Sequence, residues 1–248
     1  MKSLLTITLF LFTLSLHAGT TVYSAPDETG LVGYWKMDEP GPTTIDYSGN
    51  GNNGTNVNGV TLVQGVIGNA GNFSGSSNFI SASFAMVLTN FSLCCWFNQT
   101  TNQNGSSLIT KKYTNVVPFE LGFDCNTPVT ANKLQLGYYA NTWFLATCPV
   151  SLPNNQWIFA AGTFNGTTLS LYTNGVLCTQ TNVTNIPGYE INPLFIGARH
   201  DVVGTPYFNG KIDDVRIYNL ALSATEITNL YNFQQKTYLT NGTTPFKP

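Results

Sequence analysis

The segment from Tyr207 to Tyr231, YFNGKIDDVRIYNLALSATEITNLY, constrains the fold more than any other stretch, because its hydrophobic period changes part-way along. It opens on Asn209-Gly210, a turn pair in which glycine takes φ > 0 at little cost. From Ile212 the residues alternate. Ile212, Asp214 and Arg216 share one side and Asp213, Val215 and Ile217 the other, the two-residue period of a strand. At Ser223 the period becomes helical. Ser223 is a natural N-cap, with Glu226 three residues later as its capping-box partner. Leu222 and Ile227 are placed for a hydrophobic staple, and Ile227, Leu230 and Tyr231 form one apolar stripe. The segment therefore reads as a strand, a corner and one short helix. Asp213 and Asp214 are costly to bury side by side unless something pairs them. Arg216 can do so for Asp214, and a bound cation is the other candidate.

Elsewhere short strands dominate. Charged residues make up only 9% of the chain, while Asn, Thr and Gly are abundant, which suits alternating strands joined by Asn-Gly turns and does not suit long helices. Asn165-Gly166 and Asn174-Gly175, within residues 156–178, are expected to be type I′ hairpin turns of a three-stranded meander. Four more strands are expected around Leu108, Phe119, Leu134 and Trp143. A formal charge of −2 with no basic patch excludes nucleic acid as a partner.

Residues 4 to 16, LLTITLFLFTLSL, follow Lys2 and precede Ala18, the pattern of a secretory signal over residues 1–18. That apolar run is short for a membrane span, and no second one follows. A lead-in (19–30), one domain (31–232) and a loosely packed tail (233–248) account for the remainder. Export permits disulfides, and the chain has five cysteines: Cys94, Cys95, Cys125, Cys148 and Cys178. Cys94 and Cys95 are adjacent in a strand and point to opposite faces. Cys125 and Cys148 end neighbouring strand candidates and are the expected pair. The odd count leaves a thiol free or joined to another chain, so self-association is open. Zinc spacing is absent.

Two regions carry candidate sites. In the loop Ile45 to Thr55, Asp46, Ser48, Asn50 and Asn52 stand at every second position. Such a run supplies oxygens to a hard cation, or satisfies its own backbone through Asx turns; the spacing alone allows both. Around Asn141, Tyr139 and Trp143 offer aromatic faces beside amides, the surroundings on which sugar rings stack. Arg199 and His200, at the exit of the strand near Phe195, and Tyr207, where the chain returns, complete the candidate ligand-binding set.

The closing run from Gly210 to Ile227 resembles the "G-x-I-D-D/E-V-R-I-Y-N-x-A-L-S-x-x-E-I" motif of the LamG-like jellyroll family, in the concanavalin A-like lectin/glucanase superfamily. Trp35-Lys-Met-Asp38-Glu39 is similar to that family's "W-x-x-D-E" strand, residues 46–55 to its "D-x-S-G-N-G-N-x-G-T" loop, and Gly65–Gly75 to its "G-x-x-G-x-A-x-x-F-x-G" hairpin. The likeness covers about residues 31 to 232 and is weakest between 100 and 150. It implies an all-β, two-sheet antiparallel jellyroll sandwich with one short C-terminal helix. It also implies a structural Ca²⁺ shared by Asp46 and Asp213, with Asn50, Asn52 and Asp214 as further ligands. The function it suggests is a secreted, non-catalytic module that binds glycan or a cell-surface protein. The alternative is an adhesive or structural building block. A hydrolase is disfavoured: Glu120-Leu-Gly-Phe-Asp124 is the only remote match to a catalytic carboxylate strand, and it lacks a third acid.

Overall fold

A computed structural model describes residues 26–113, 116–124, 132–188, 193–199 and 206–240. The expected signal peptide, Cys125 and His200 lie outside these residues. Sixteen strands and one helix are formed, in chain order β1 (Leu31–Trp35), β2 (Thr43–Thr44), β3 (Gly54–Val57), β4 (Thr61–Gln64), β5 (Asn69–Ser74), β6 (Phe79–Ala82), β7 (Phe91–Gln99), β8 (Ser107–Tyr113), β9 (Val116–Phe123), β10 (Leu134–Tyr139), β11 (Trp143–Thr147), β12 (Ile158–Phe164), β13 (Thr168–Thr173), β14 (Val176–Asn182), β15 (Leu194–Ile196), β16 (Asn209–Tyr218) and α1 (Ala224–Thr240).

The strands form two antiparallel sheets, the jellyroll sandwich expected. The first runs β14-β13-β12-β7-β16-β5-β4, with β1 also on β16; the second runs β11-β10-β9-β8-β15-β6-β3-β2. Alternate residues of both sheets meet in one core, including Trp35, Phe91, Phe97, Phe119, Leu121, Leu136, Phe164, Ile212 and Ile217. The opposite face of the first sheet is covered by α1. Ile227, Leu230 and Tyr231 pack there on Cys94, Trp96 and Phe159, with Tyr231 stacked on Trp96 at 5.5 Å. Cys94 and Cys95 do face opposite ways, one in each cluster, and both are free thiols. The capping box is in place: the Ser223 N–H donates to Glu226 Oε2 at 2.6 Å and the Glu226 N–H to Ser223 Oγ at 3.3 Å.

Several expectations are corrected. The pair Asn209-Gly210 is no turn; it begins β16. Gly210 is needed because a Cβ there would lie 2.3 Å from the Asn98 carbonyl of β7. The alternation of β16 is broken by a bulge between Asp213 and Arg216, with Asp214 at φ 50°, so Ile212 and Val215 both reach the core. Asn174 (φ 51°) and Gly175 (φ 77°) make the expected I′ turn. Asn165 instead accepts the N–H groups of Thr167 and Thr168 in an Asx turn. The helix continues to Thr240, into the expected tail, because no Gly or Pro interrupts residues 224–240.

The disulfide is also different: Cys148 bonds Cys178, not Cys125. Cys148 follows β11 and Cys178 lies in β14, the edge strands of the two sheets, so the bond ties the sandwich along one side. Contact between sheets, not closeness in sequence, selects the partner. With the cysteines 30 positions apart in sequence, chain-entropy arguments put its contribution at about 3–4 kcal/mol. Replacing both by serine (C148S/C178S) should therefore lower unfolding free energy by about 3 kcal/mol in urea titrations.

Candidate functional site

Asp46 is fully used by the backbone around it. Its Oδ1 accepts the N–H of Tyr34 and of Ser48, both at 2.9 Å, and its Oδ2 that of Asn52 at 2.8 Å. Asn50 and Asn52 donate their amides to the Val32 carbonyl. The loop is thus built on Asx turns and contacts to β1. Burial pushes the Asp46 carboxyl up, but hydrogen bonds from the Ser48 hydroxyl and from the Ser48, Tyr34 and Asn52 N–H groups outweigh it and hold it below its ordinary value.

Asp213 and Asp214 occupy a fork. The first half of β16, Asn209 to Ile212, pairs with β5, whereas Val215 to Tyr218 pair with β1. At the changeover Asp213 Oδ2 accepts the N–H of Val66 (2.7 Å) and Ile67 (3.1 Å). Asp214 is paired with Arg216 at 3.1 Å, as one of the two sequence readings had it. Asp38 joins the fork from the other end of the β4–β5 loop, accepting the Asn69 N–H at 2.7 Å. A Cβ on Gly65 would lie 2.4 Å from Asp213 Oδ2 and one on Gly68 2.2 Å from Asp38 Oδ1, so the loop can straddle both carboxylates only with glycine at these positions. Burial, then the Asp214 charge, push the Asp213 carboxyl well up. Its Oδ1 is buried without a partner. Asp46 and Asp213 therefore serve separate stretches of backbone. Among the described residues no three or more His, Cys, Asp or Glu side chains gather to hold a metal.

Of the expected ligand residues, Tyr139, Trp143, Arg199 and Tyr207 lie on the outer face of the second sheet. There Leu145, Gly137, Glu120, Thr110, Phe195 and Ser81 are direct register partners across β11, β10, β9, β8, β15 and β6. Phe195 packs with Phe79, Ala198 and Tyr207, and Ala198 bridges Tyr207. Arg199 lies 5.4 Å over the Trp143 ring, with its Nε 3.3 Å from Glu120 Oε1. Tyr139 meets Trp143 edge-on at 5.6 Å. Ser107 Oγ donates to Glu120 Oε1 at 2.6 Å, while Glu120 Oε2 and Thr110 Oγ1 are buried without partners. Beside them Glu120, Gly122, Gln135, Gly137, Trp143 and Leu145 line a shallow depression.

A family model, Laminin_G_3, described as the concanavalin A-like lectin/glucanases superfamily, matches residues 71–228. The chain belongs to the concanavalin A-like lectin/glucanase superfamily. None of the curated proteins matches it. Domain 4 of AbnA, a GH43 extracellular arabinanase from Geobacillus stearothermophilus solved with arabinotriose, is similar at 20% identity and TM-score 0.69, over 83% of this chain and 100% of that one. The binding domain of Paraclostridial Mosquitocidal Protein 1 (17%, TM-score 0.65) covers 82% of this chain and 52% of its own. A structure of botulinum neurotoxin type C, whose cell entry depends on interaction with two ganglioside molecules, gives 18% and TM-score 0.63 over 83% and 52%. The chain thus spans about half the length of these toxin chains.

Within this superfamily fold, sequence reading named Tyr139, Trp143, Arg199 and Tyr207 as candidates, did not single out Thr110, Ser107 or Gln135 beside them, and gave Glu120 only a catalytic reading. Alternation along β9, with Phe119, Leu121 and Phe123 inward, was the signal that places Glu120 outside. A depressed carboxyl such as Asp46 stabilises the fold above its unfolded value and loses that as pH falls through the folded one. Asp46→Asn should therefore cost about 1–3 kcal/mol near neutral pH. The gap to wild type should close below about pH 4 in melts across a pH series.

Proposed function

We propose that this chain is a secreted, non-catalytic glycan-recognition module that reads sugar on the outer face of its second sheet. The observation that carries this reading is the placement of Trp143 and Tyr139 against the Glu120–Arg199 pair over the glycine-floored depression. Aromatic faces take the C–H side of a sugar ring while carboxylate, guanidinium and amide groups take its hydroxyls. The AbnA domain solved with arabinotriose and the ganglioside-dependent toxin share the fold and support the same class of ligand. A non-catalytic role is favoured because Glu120 holds Ser107 and Arg199, whereas retaining hydrolysis needs a second carboxyl about 5 Å away. Export is supported by the Cys148–Cys178 bond and the pattern of residues 1–18. Among the described residues no helix is long and apolar enough to cross a membrane.

The proposal includes one structural Ca²⁺, and the fork accommodates it better than the loop at Asp46. Asp213 Oδ1 lacks a partner there, whereas both oxygens of Asp46 are occupied. A cation bound at Asp213 neutralises charge that the single Arg216 does not.

On a glycan array the full mature chain should retain a defined set of sugars, and Trp143→Ala should weaken the best of them about tenfold or more. Retention of none abandons the reading. Separately, EDTA should lower the melting temperature by about 5–10 °C, the effect of losing a ligand held near 100 Kd. Asp213→Asn should abolish that sensitivity while Asp46→Asn keeps it.

A further inference from the structure

We propose a second site, independent of the glycan face: a cavity between the lead-in to β1 and the first turns of α1, which takes a small organic ammonium ion. The cavity measures about 110 Å³, well above the roughly 10–15 Å³ that one water needs. Its floor is apolar, made by the buried Tyr218, Leu222 and Leu230 with Pro26 beside them. Its polar lining is Asp27, Glu226 and Asn229, all exposed. Glu226, Asn229 and Leu230 stand at i, i+3 and i+4, so α1 presents them on one face. The lead-in is fixed beside them. Leu31 is the register partner of Tyr218, and the Asn219 N–H donates to the Gly30 carbonyl at 2.8 Å. A backbone hydrogen bond aims each carboxylate: Asp27 Oδ1 accepts the Thr29 N–H at 2.9 Å, and Glu226 Oε2 the Ser223 N–H at 2.6 Å. A carboxylate has about four acceptor sites, so both retain capacity for a ligand donor. The Thr29 hydroxyl and N–H hold the Asp27 carboxyl below its ordinary value, which keeps it charged. Glu226 alone is accounted for by the first-turn N–H groups of α1 that it answers. Asp27 comes from another segment, and among the described residues no Lys, Arg or His lines the cavity to match it. Arg216, two residues before Tyr218 in β16, is already paired with Asp214 at 3.1 Å. An apolar floor thus meets a rim with two negative charges and no positive one. An alkylammonium ion fits both parts, its carbons on the floor and its N–H groups toward the carboxylates. A neutral body of the same shape loses the attraction, and an anion is repelled.

The test titrates the full mature chain at low ionic strength with n-butylammonium, n-butanol and pentanoate, which share a butyl body and differ in charge. Binding is followed at the methyl resonances of Leu222 and Leu230. Butylammonium should shift both with a dissociation constant on the order of millimolar, about tenfold or more tighter than butanol, and pentanoate should shift neither. Raising NaCl to about 1 M should bring butylammonium close to butanol. The double variant Asp27→Asn/Glu226→Gln keeps an acceptor for both backbone hydrogen bonds and removes only charge, at two exposed positions. It should erase the preference for the ammonium ion and leave butanol unchanged, which acids with a merely structural role do not give. Butylammonium that leaves both leucines unmoved overturns the proposal. So does equal binding of the amine and the alcohol, a preference for pentanoate, or butylammonium binding that the double variant does not weaken.

Discussion

A strand that changes partners part-way along cannot keep its ladder intact, and β16 does this at the centre of the molecule. Its one edge stays on β7, while its other edge passes from β5 to β1. Backbone groups at such a changeover need partners from elsewhere. The Asp213-Asp214 pair supplies them: Asp214 takes up the bulge, and Asp213 accepts the N–H groups of the β4–β5 loop. Arg216 then answers Asp214 and lies 3.9 Å over the Tyr34 ring. Tyr34 in turn gives its N–H to Asp46 and meets Tyr47 edge-on, with Lys36 over both rings. The early Asx loop and the closing strand are therefore joined through β1, by a cation–π and hydrogen-bond relay.

That relay explains which parts of the fold were legible in the sequence. Period, turn pairs and caps are local, and they located the four strands of the middle, the I′ turn at Asn174-Gly175 and the Ser223–Glu226 box. The bulge at Asp214 was not visible, because alternation records which residues are apolar and not which strand lies alongside. The disulfide failed for a related reason. Cys148 and Cys178 become neighbours only once β11 and β14 are known to be the edges on one side. Two acids far apart in sequence invited a shared ion. The folded chain gives each its own segment of backbone to hold.

The outer face of the second sheet shows the same division. Trp143 and Tyr139 could be found because they flank one hairpin, whereas Glu120 and Thr110 become a pair only across the β8–β9 ladder. Their row continues to Phe195, and there the chain closes over it: Ala198 and Tyr207 cover Phe195 and Phe79. The aromatic cluster thus fixes where Ala198 and Tyr207 lie, and Ala198 fixes where Arg199 falls. Because Ala198 is held on Phe195, its neighbour Arg199 sits two strands away from Phe195, over Glu120 and against Trp143. Apolar anchoring at one end of the row thus sets where the charge pair lies at the other.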